Sequence, residues 1–508
     1  MTAASLPTDE PALQNAAQPA LGRRWSFRLA ALILGLSPLV AFEGLCRLCD
    51  WGRPALHDDP FFGFSDVQPL FVPNEDGTRY EIPKSRQRFF CPESFPVRKA
   101  ASDVRIFVLG GSTVQGRPFA IETSYTTWLE LSLNAAQPER NWNVINCGGV
   151  SYASYRLIPI LKEALTHAAD LVILDIGHNE FLEARTFDEL RDRGTVVNAV
   201  LATAAQLRTF TMIREQYLRL NGRSLSDPAE GRPLLPAEVD ALLDYKGGLE
   251  EYHRDDAWRA DVIREFEINL SIFVRIAREA GIPLVLVNPC SNVRDFPPFK
   301  SEHRAELTAE ELQEWESLCN AAGTHMDAGD DELPDAIACL EQACRIDPEY
   351  AMTFYHLGHC YLAAHRMDDA RQMFEKARDL DICPLRILQP MNAAILKVAR
   401  ETGTPLVDAQ AFFESRSRDG LVGDQWLVDH VHPSIAGHQA LADALAEKLV
   451  DLHIVSPIAE WAVQKDSRYR EYLDSLPDLY FLQGMQRLES EQHWAHGRAT
   501  LLRPHRKD

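Results

Sequence analysis

Five short apolar runs punctuate the chain: Val104–Leu109, Val144–Asn146, Leu171–Ile176, Pro283–Asn288 and Pro405–Val407. They are rich in β-branched residues and too short for helices. Between them, apolar positions recur at helical spacing, as in Tyr125–Asn134, Tyr155–His167 and Arg264–Ala280. Strands alternating with amphipathic helices predict an α/β fold with a parallel sheet covered on both faces. Two insertions interrupt this pattern. Residues 185–262 are polar with helical character. Residues 306–384 hold an internal repeat, in which Phe354, Leu357, Gly358, Tyr361, Ala370, Phe374 and Ala377 sit at tetratricopeptide spacing. Moved back 34 residues, Ala336, Leu340, Ala343 and Pro348 fit the second half of another unit. Two units are fewer than a free-standing solenoid needs. The array is therefore expected to pack on the core, with its concave face open to a peptide or protein partner.

The flanking segments extend this picture. Residues 1–22 are polar and read as a disordered tail. Arg23, Arg24 and Arg28 then precede the uncharged run Leu29–Phe42, which Trp25 and Phe27 extend on one side and Leu45, Cys46 and Leu48 on the other. At 14 residues the run itself is short for a membrane span, which needs about 20. Residues 23–49 are read as a transmembrane anchor; a cleaved signal peptide and a buried helix are the alternatives. The arginine cluster keeps the N-terminus inside, so the body is expected outside the cytoplasm, which means the periplasm if the source is bacterial. Residues 50–100 read as an irregular linker. The core falls into two parts, 101–305 and 385–452, and 453–508 is a helical, charged extension with no motif.

A chain of 508 residues predicts two or three domains. The formal net charge of −22 argues against a nucleic-acid partner. The ten cysteines fit no metal pattern, and Cys147 and Cys290, each beside a strand end, are expected to be small buried residues.

The chemistry gathers at the strand ends, where open α/β sheets build their sites. Gly110-Gly111-Ser112-Thr113 follows the first run and presents a hydroxyl. Asn146-Cys147-Gly148-Gly149-Val150-Ser151 follows the second, a turn able to aim a backbone N–H at a developing oxyanion. Gly177-His178-Asn179-Glu180 follows the third and supplies an amide side chain. Near the end, Asp429 stands three residues before His432, a spacing that lets a carboxylate hold the imidazole Nδ1–H. His430 lacks that spacing and reads as structural, as does His438. Arg117 reads as a surface ion-pair partner, the loop Arg294–Lys300 as lying near the mouth of the pocket, and Glu180 and Phe181 as wall.

These four ordered blocks resemble those of the SGNH (GDSL-like) hydrolase superfamily, across residues 101–300 and 385–450. The resemblance implies a flavodoxin-like three-layer α/β/α core with strand order 2-1-3-4-5. It implies Ser112 as nucleophile, His432 as base and Asp429 as its orienting partner. The implied oxyanion hole is the Ser112 N–H, an N–H from the 146–151 turn and the Asn179 amide, with Gly148, Gly149 and Ser151 open as the turn's donor. Gly111 stands where the family usually has Asp. Anchor plus inserted repeat is similar in architecture to a membrane-anchored SGNH subgroup with tetratricopeptide repeats. The implied activity is cleavage of a carbohydrate O-acetyl or lipid acyl ester with no metal or organic cofactor. A polysaccharide O-acyltransferase, in which a sugar hydroxyl replaces water, is one alternative. An anchored repeat scaffold with a vestigial hydrolase core is another.

Overall fold

A computed structural model describes residues 69–183 and 248–498, with residues 34–35, 37–38, 41–49, 51, 208–209, 212 and 242 besides. The chain divides into two compact units. One comprises Met1–Asp66 with Asp188–Leu234, the other Val67–Phe187 with Leu235–Asp508. In the first unit the Glu43 carboxylate accepts from the N–H groups of Arg208 (3.2 Å) and Thr209 (2.9 Å) and pairs with Arg47. No helix among the described residues is long and apolar enough to cross a membrane. Much of the expected anchor, the tail 1–22 and most of the 185–262 insertion lie outside the described residues.

In the second unit the five apolar runs become β1 (Asp103–Gly110), β2 (Asn141–Gly148), β3 (Leu171–Asp175), β4 (Leu284–Asn288) and β5 (Leu406–Asp408). All pair in parallel, in the order β2-β1-β3-β4-β5, which is the order that the resemblance implies. Helices α1 (Ser112–Gln115), α2 (Tyr125–Ala136) and α3 (Ser154–Thr166) follow the first two strands, and α4 (Asp256–Glu279) precedes β4. Strand side chains alternate between the two faces. Ile106, Val108, Ile173 and Val285 face one layer, where Trp128 and Leu133 of α2 join them. Phe107 faces the other way, against Phe71 and Phe95. With Ile106 to Leu109 wholly buried, each side chain contributes about 1.5–3 kcal/mol.

The supposed linker is only partly irregular. Residues 69–100 hold a small antiparallel sheet of Val72–Pro73, Arg79–Glu81 and Ser94–Pro96. Its aromatics anchor it: Phe71 and Phe95 meet edge to face at 5.0 Å. The backbone N–H groups of Leu70 and Phe71 donate to Glu163 of α3, both at 2.7 Å.

The 306–384 insertion forms α5 (Ala309–Ala328), α6 (Leu333–Ile346), α7 (Ala351–Ala363) and α8 (Met367–Asp379), each packed on the next. Phe354, Leu357 and Tyr361 of α7 share a core with Ala370, Phe374 and Ala377 of α8. The block rests on the α/β core: Tyr355 Oη donates to the Arg294 carbonyl at 3.0 Å and Arg371 to that of Gly420 at 2.8 Å. Its two ends are joined. Asp381 accepts from the N–H groups of Phe299 (2.8 Å) and Lys300 (3.1 Å), and Ile382 N–H donates to Lys300 O at 3.0 Å. Buried Arg386 donates to the carbonyls of Asn292 and Phe296. Helix α9 (Gln389–Thr402) then leads to β5, and α10 (Ile435–Asp451), α11 (Trp461–Ser475) and α12 (Asp478–Arg498) complete the chain. The extension is no loose tail, for Tyr469 of α11 donates to the Trp128 carbonyl of α2 at 2.9 Å.

The top of the sheet is level, with Gly110 in register with both Gly148 and Asp175. Helix α1 lies so close to β2 that a β-carbon on Gly148 would sit 2.3 Å from the Gln115 nitrogen. Gly148→Ala is expected to cost about 1–3 kcal/mol through this backbone clash. Thermal denaturation followed by circular dichroism reads it, and an unchanged Tm would contradict such close packing.

Candidate active site

Ser112 opens α1 directly above β1, and His432 lies on the loop before α10. That loop is pinned by Val428 N–H donating to the His432 carbonyl at 2.8 Å. The two side chains, 320 positions apart in sequence, meet with Ser112 Oγ 2.7 Å from His432 Nε2. On the other side of the ring, Nδ1 lies 2.6 Å from Asp429 Oδ2. The second oxygen of Asp429 accepts from the N–H groups of Val431 (2.9 Å) and His432 (2.8 Å). The carboxylate thus fixes the loop and, by taking Nδ1–H, leaves Nε2 as the acceptor of the serine proton. All three residues are buried.

The 148–152 turn has few N–H groups to spare. Gly148 donates to the Asn146 side chain at 2.9 Å, Gly149 to the Gly110 carbonyl at 3.0 Å and Val150 to the Phe89 carbonyl at 2.8 Å. The Gly149 N–H is therefore spent on tying the turn to β1. The Ser151 N–H has no such bond among the described residues, and Ser151 adopts the left-handed conformation, with φ of 62°. The Asn179 amide nitrogen donates to the Tyr152 carbonyl at 3.1 Å and keeps a second hydrogen. It also explains Gly111, since a β-carbon there would lie 2.5 Å from Asn179 Nδ2. The three sequence blocks are thus brought against Ser112.

The electrostatics separate the histidines. Burial alone would lower the His432 pKa, but the Asp429 charge and hydrogen bond outweigh it and raise the value. Burial likewise opposes ionisation of Asp429, yet His432, His430 and the hydrogen bonds hold its pKa well below the usual carboxylate range. His430, tilted against the rings of Phe296 and Phe299, is driven down to about 4 by burial. His178 accepts from the Ile387 N–H at 3.1 Å and is pushed to about 3 by burial, with His430 and His432 adding to the effect. His438 accepts from the Tyr125 N–H at 3.2 Å and is likewise pushed to about 3 by burial. Among the described residues, only His432 has its two ring nitrogens joined to an acid and a hydroxyl.

Other expectations change. Phe296 and Phe299 of the 294–300 loop are buried against His430, in a small core with Ile382 and Leu385. Arg117 does form an ion pair, but within the site, with Glu491 of α12 at 2.5 Å. Oxygen or nitrogen atoms of Asp429, His432 and Glu491 lie within 4.8 Å of one another. Since both His432 nitrogens are already engaged, this group suits proton transfer better than holding a metal. Asp175 sits inside an apolar run, where the sequence pattern gives it no signal. It accepts from Tyr125 Oη at 3.1 Å, and burial raises its pKa to about 7.

No family model matches the chain, and no curated protein matches it. Among solved structures, it is similar to an acetylxylan esterase from Geobacillus stearothermophilus at 14% identity, covering 68% of this chain and 94% of that one with a TM-score of 0.30. A lipase/acylhydrolase from Enterococcus faecalis shares 11% identity over 70% and 98% of the two chains, also with a TM-score of 0.30. A putative lipolytic protein of the G-D-S-L family from Desulfitobacterium hafniense shares 9% over 68% and 99%, with a TM-score of 0.29. The strand order β2-β1-β3-β4-β5 and the contacts of Ser112, His432 and Asp429 are read from this molecule's own sheet and loops, in the arrangement that the sequence resemblance implies.

A buried histidine kept neutral in the fold gains a proton more readily once unfolded, so its contribution falls as pH drops below about 6.5. Asp175, with its raised pKa, works in the opposite sense, so a difference between proteins is the clean measure. Between pH 7 and pH 5, wild type is expected to lose more stability than His438→Gln, by up to about 1.4 kcal/mol per pH unit below about 6.5. Parallel Tm curves for the two proteins would contradict a neutral, buried His438.

Proposed function

We propose that the protein is a serine hydrolase that cleaves an ester through an acyl-enzyme. The observation that carries this reading is the unbroken hydrogen-bond chain from Ser112 through His432 to Asp429. In this reading His432 Nε2 takes the hydroxyl proton as Ser112 Oγ attacks the acyl carbonyl carbon. The oxyanion accepts from the N–H groups of Ser112 and Ser151 and from the Asn179 amide. Asp429 stabilises the imidazolium, which returns the proton to the departing alcohol. Water, activated by the same base, then releases the acid.

The substrate class that fits is a carbohydrate O-acetyl or lipid acyl ester. The same reading keeps residues 23–49 as a membrane anchor with the catalytic body outside the cytoplasm, supported by the arginine cluster and by exposed Leu34, Leu45 and Leu48. It also takes α5–α8 as tetratricopeptide units open to a peptide partner, supported by the α7–α8 packing.

Ser112→Ala is expected to lower hydrolysis of a p-nitrophenyl ester by about 10³-fold or more and to abolish fluorophosphonate labelling, with the circular dichroism unchanged. Undiminished activity would sink the mechanism. Asn179→Ala is expected to cost about 10²–10³-fold in kcat. His432→Ala should match Ser112→Ala, while His430→Ala should be far milder; equal losses would remove His432 as the base. An acetyl donor should yield free acetate even when oligosaccharide is added. Transfer of the acetyl group to the sugar would instead make the protein an acyltransferase.

A further inference from the structure

We propose that Glu491 of α12 is a positioning residue of the active site, forming with Arg117 a charge couple that sets the protonation of His432. The inference rests on the serine-hydrolase reading above. It gives the C-terminal extension, which carries no sequence motif, a part in the chemistry.

Helix α12 holds both loops that build the site. Tyr480 Oη lies 2.7 Å from Thr123 Oγ1 and accepts from the Ala120 N–H at 3.3 Å, and its ring stacks on Phe119 at 6.0 Å. These contacts grip the segment that leaves the nucleophile turn. Further along the helix, Gln492 donates to the Val428 carbonyl at 3.0 Å, gripping the histidine loop. Glu491 sits between the two grips. Its Oε1 takes the Arg117 guanidinium at 2.5 Å, while its Oε2 is buried with no hydrogen-bond partner. Arg117 in turn belongs to the nucleophile turn, since its N–H donates to the Ser112 carbonyl at 3.2 Å.

A carboxylate with an unpaired buried oxygen, close to a second carboxylate, is costly unless positive charge is near. Arg117 supplies one such charge permanently. The other arises at His432 whenever that ring takes the serine proton. The charged and titratable groups around His432 are Asp429 and His430 on its own loop, Arg117 beside the nucleophile, His178 after β3, His438 on α10 and Glu491 on α12. The three other histidines are held neutral by burial. Asp429 sets the tautomer, which leaves Glu491 and Arg117 as the pair that trims the charge. Glu491 favours the imidazolium and Arg117 disfavours it.

The two residues therefore act with opposite sign, which a purely structural role would not produce. The test is the rate of Ser112 labelling by a fluorophosphonate across about pH 5 to 9, on the full chain. That rate rises as His432 loses its proton. In Glu491→Gln the midpoint of the rise is expected to move down by about 0.5–1 pH unit, and in Arg117→Gln to move up by a similar amount. Glu491→Asp, which keeps the charge, should return the midpoint towards wild type. Midpoints that stay put in both variants, or move the same way, would overturn the proposal. If Glu491→Gln fails to fold, Arg117→Gln alone decides, and a midpoint that does not rise is the contrary result. A wild-type protein that is never labelled at Ser112 would overturn the hydrolase reading itself, an outcome distinct from a labelled protein whose profile ignores both changes.

Discussion

The hydrogen bond between Asp429 and His432 is the interaction on which the site depends. One carboxylate performs three tasks: it takes the ring Nδ1–H, caps two backbone N–H groups of its own loop, and carries the charge that answers an imidazolium. The loop and the ring are therefore fixed by the same atoms. Without the carboxylate, the ring is free to flip its tautomer and the loop loses the acceptor that closes it. Ser112 Oγ is then left without the basic nitrogen it faces.

The second constraint is crowding at the carboxyl ends of the strands. Register levels Gly110 with Gly148 and Asp175, and the chain uses that level surface to bring three backbones together. Gly148 lets α1 rest on β2, and Gly111 leaves room for the Asn179 amide one residue before the serine. The same closeness consumes the turn's N–H groups one after another, so that of the three candidate donors Ser151 is the one left unspent. The site is thus shaped as much by which groups are already bonded as by which are present.

Much of this was legible in the sequence for a definite reason. Parallel strands buried on both faces read as continuous apolar runs, and the residues after each run lie on one edge of the sheet. That logic singles out Ser112 and Asn179, whereas Asp429 and His432 stand out by their three-residue spacing. It failed where the answer lies in three-dimensional bookkeeping. Gly149 and Ser151 cannot be told apart until the partner of each N–H is known. Asp175 vanished into an apolar run because a single polar residue there does not disturb the pattern. Residues 69–100 read as linker because their strands are two or three residues long and their anchors, Phe71 and Phe95, find partners in β1 and α3. Glu491 sits on a helix with mixed charge on many faces, and only the fold reveals that one of them meets His432.

The join at the base of the helical insertion has a consequence for how this molecule can change. The chain departs near Lys300 and returns near Asp381 within hydrogen-bonding distance, and Arg386 fastens the departing loop from beneath. Whatever lies between those points is a graft on a closed stem. Because the stem, not the graft, fixes where β4 ends and α9 begins, helices can be added, lost or resurfaced there without disturbing the register of the sheet. Variation there can thus reshape the outer surface of the insertion while leaving the residues at the strand ends where they are.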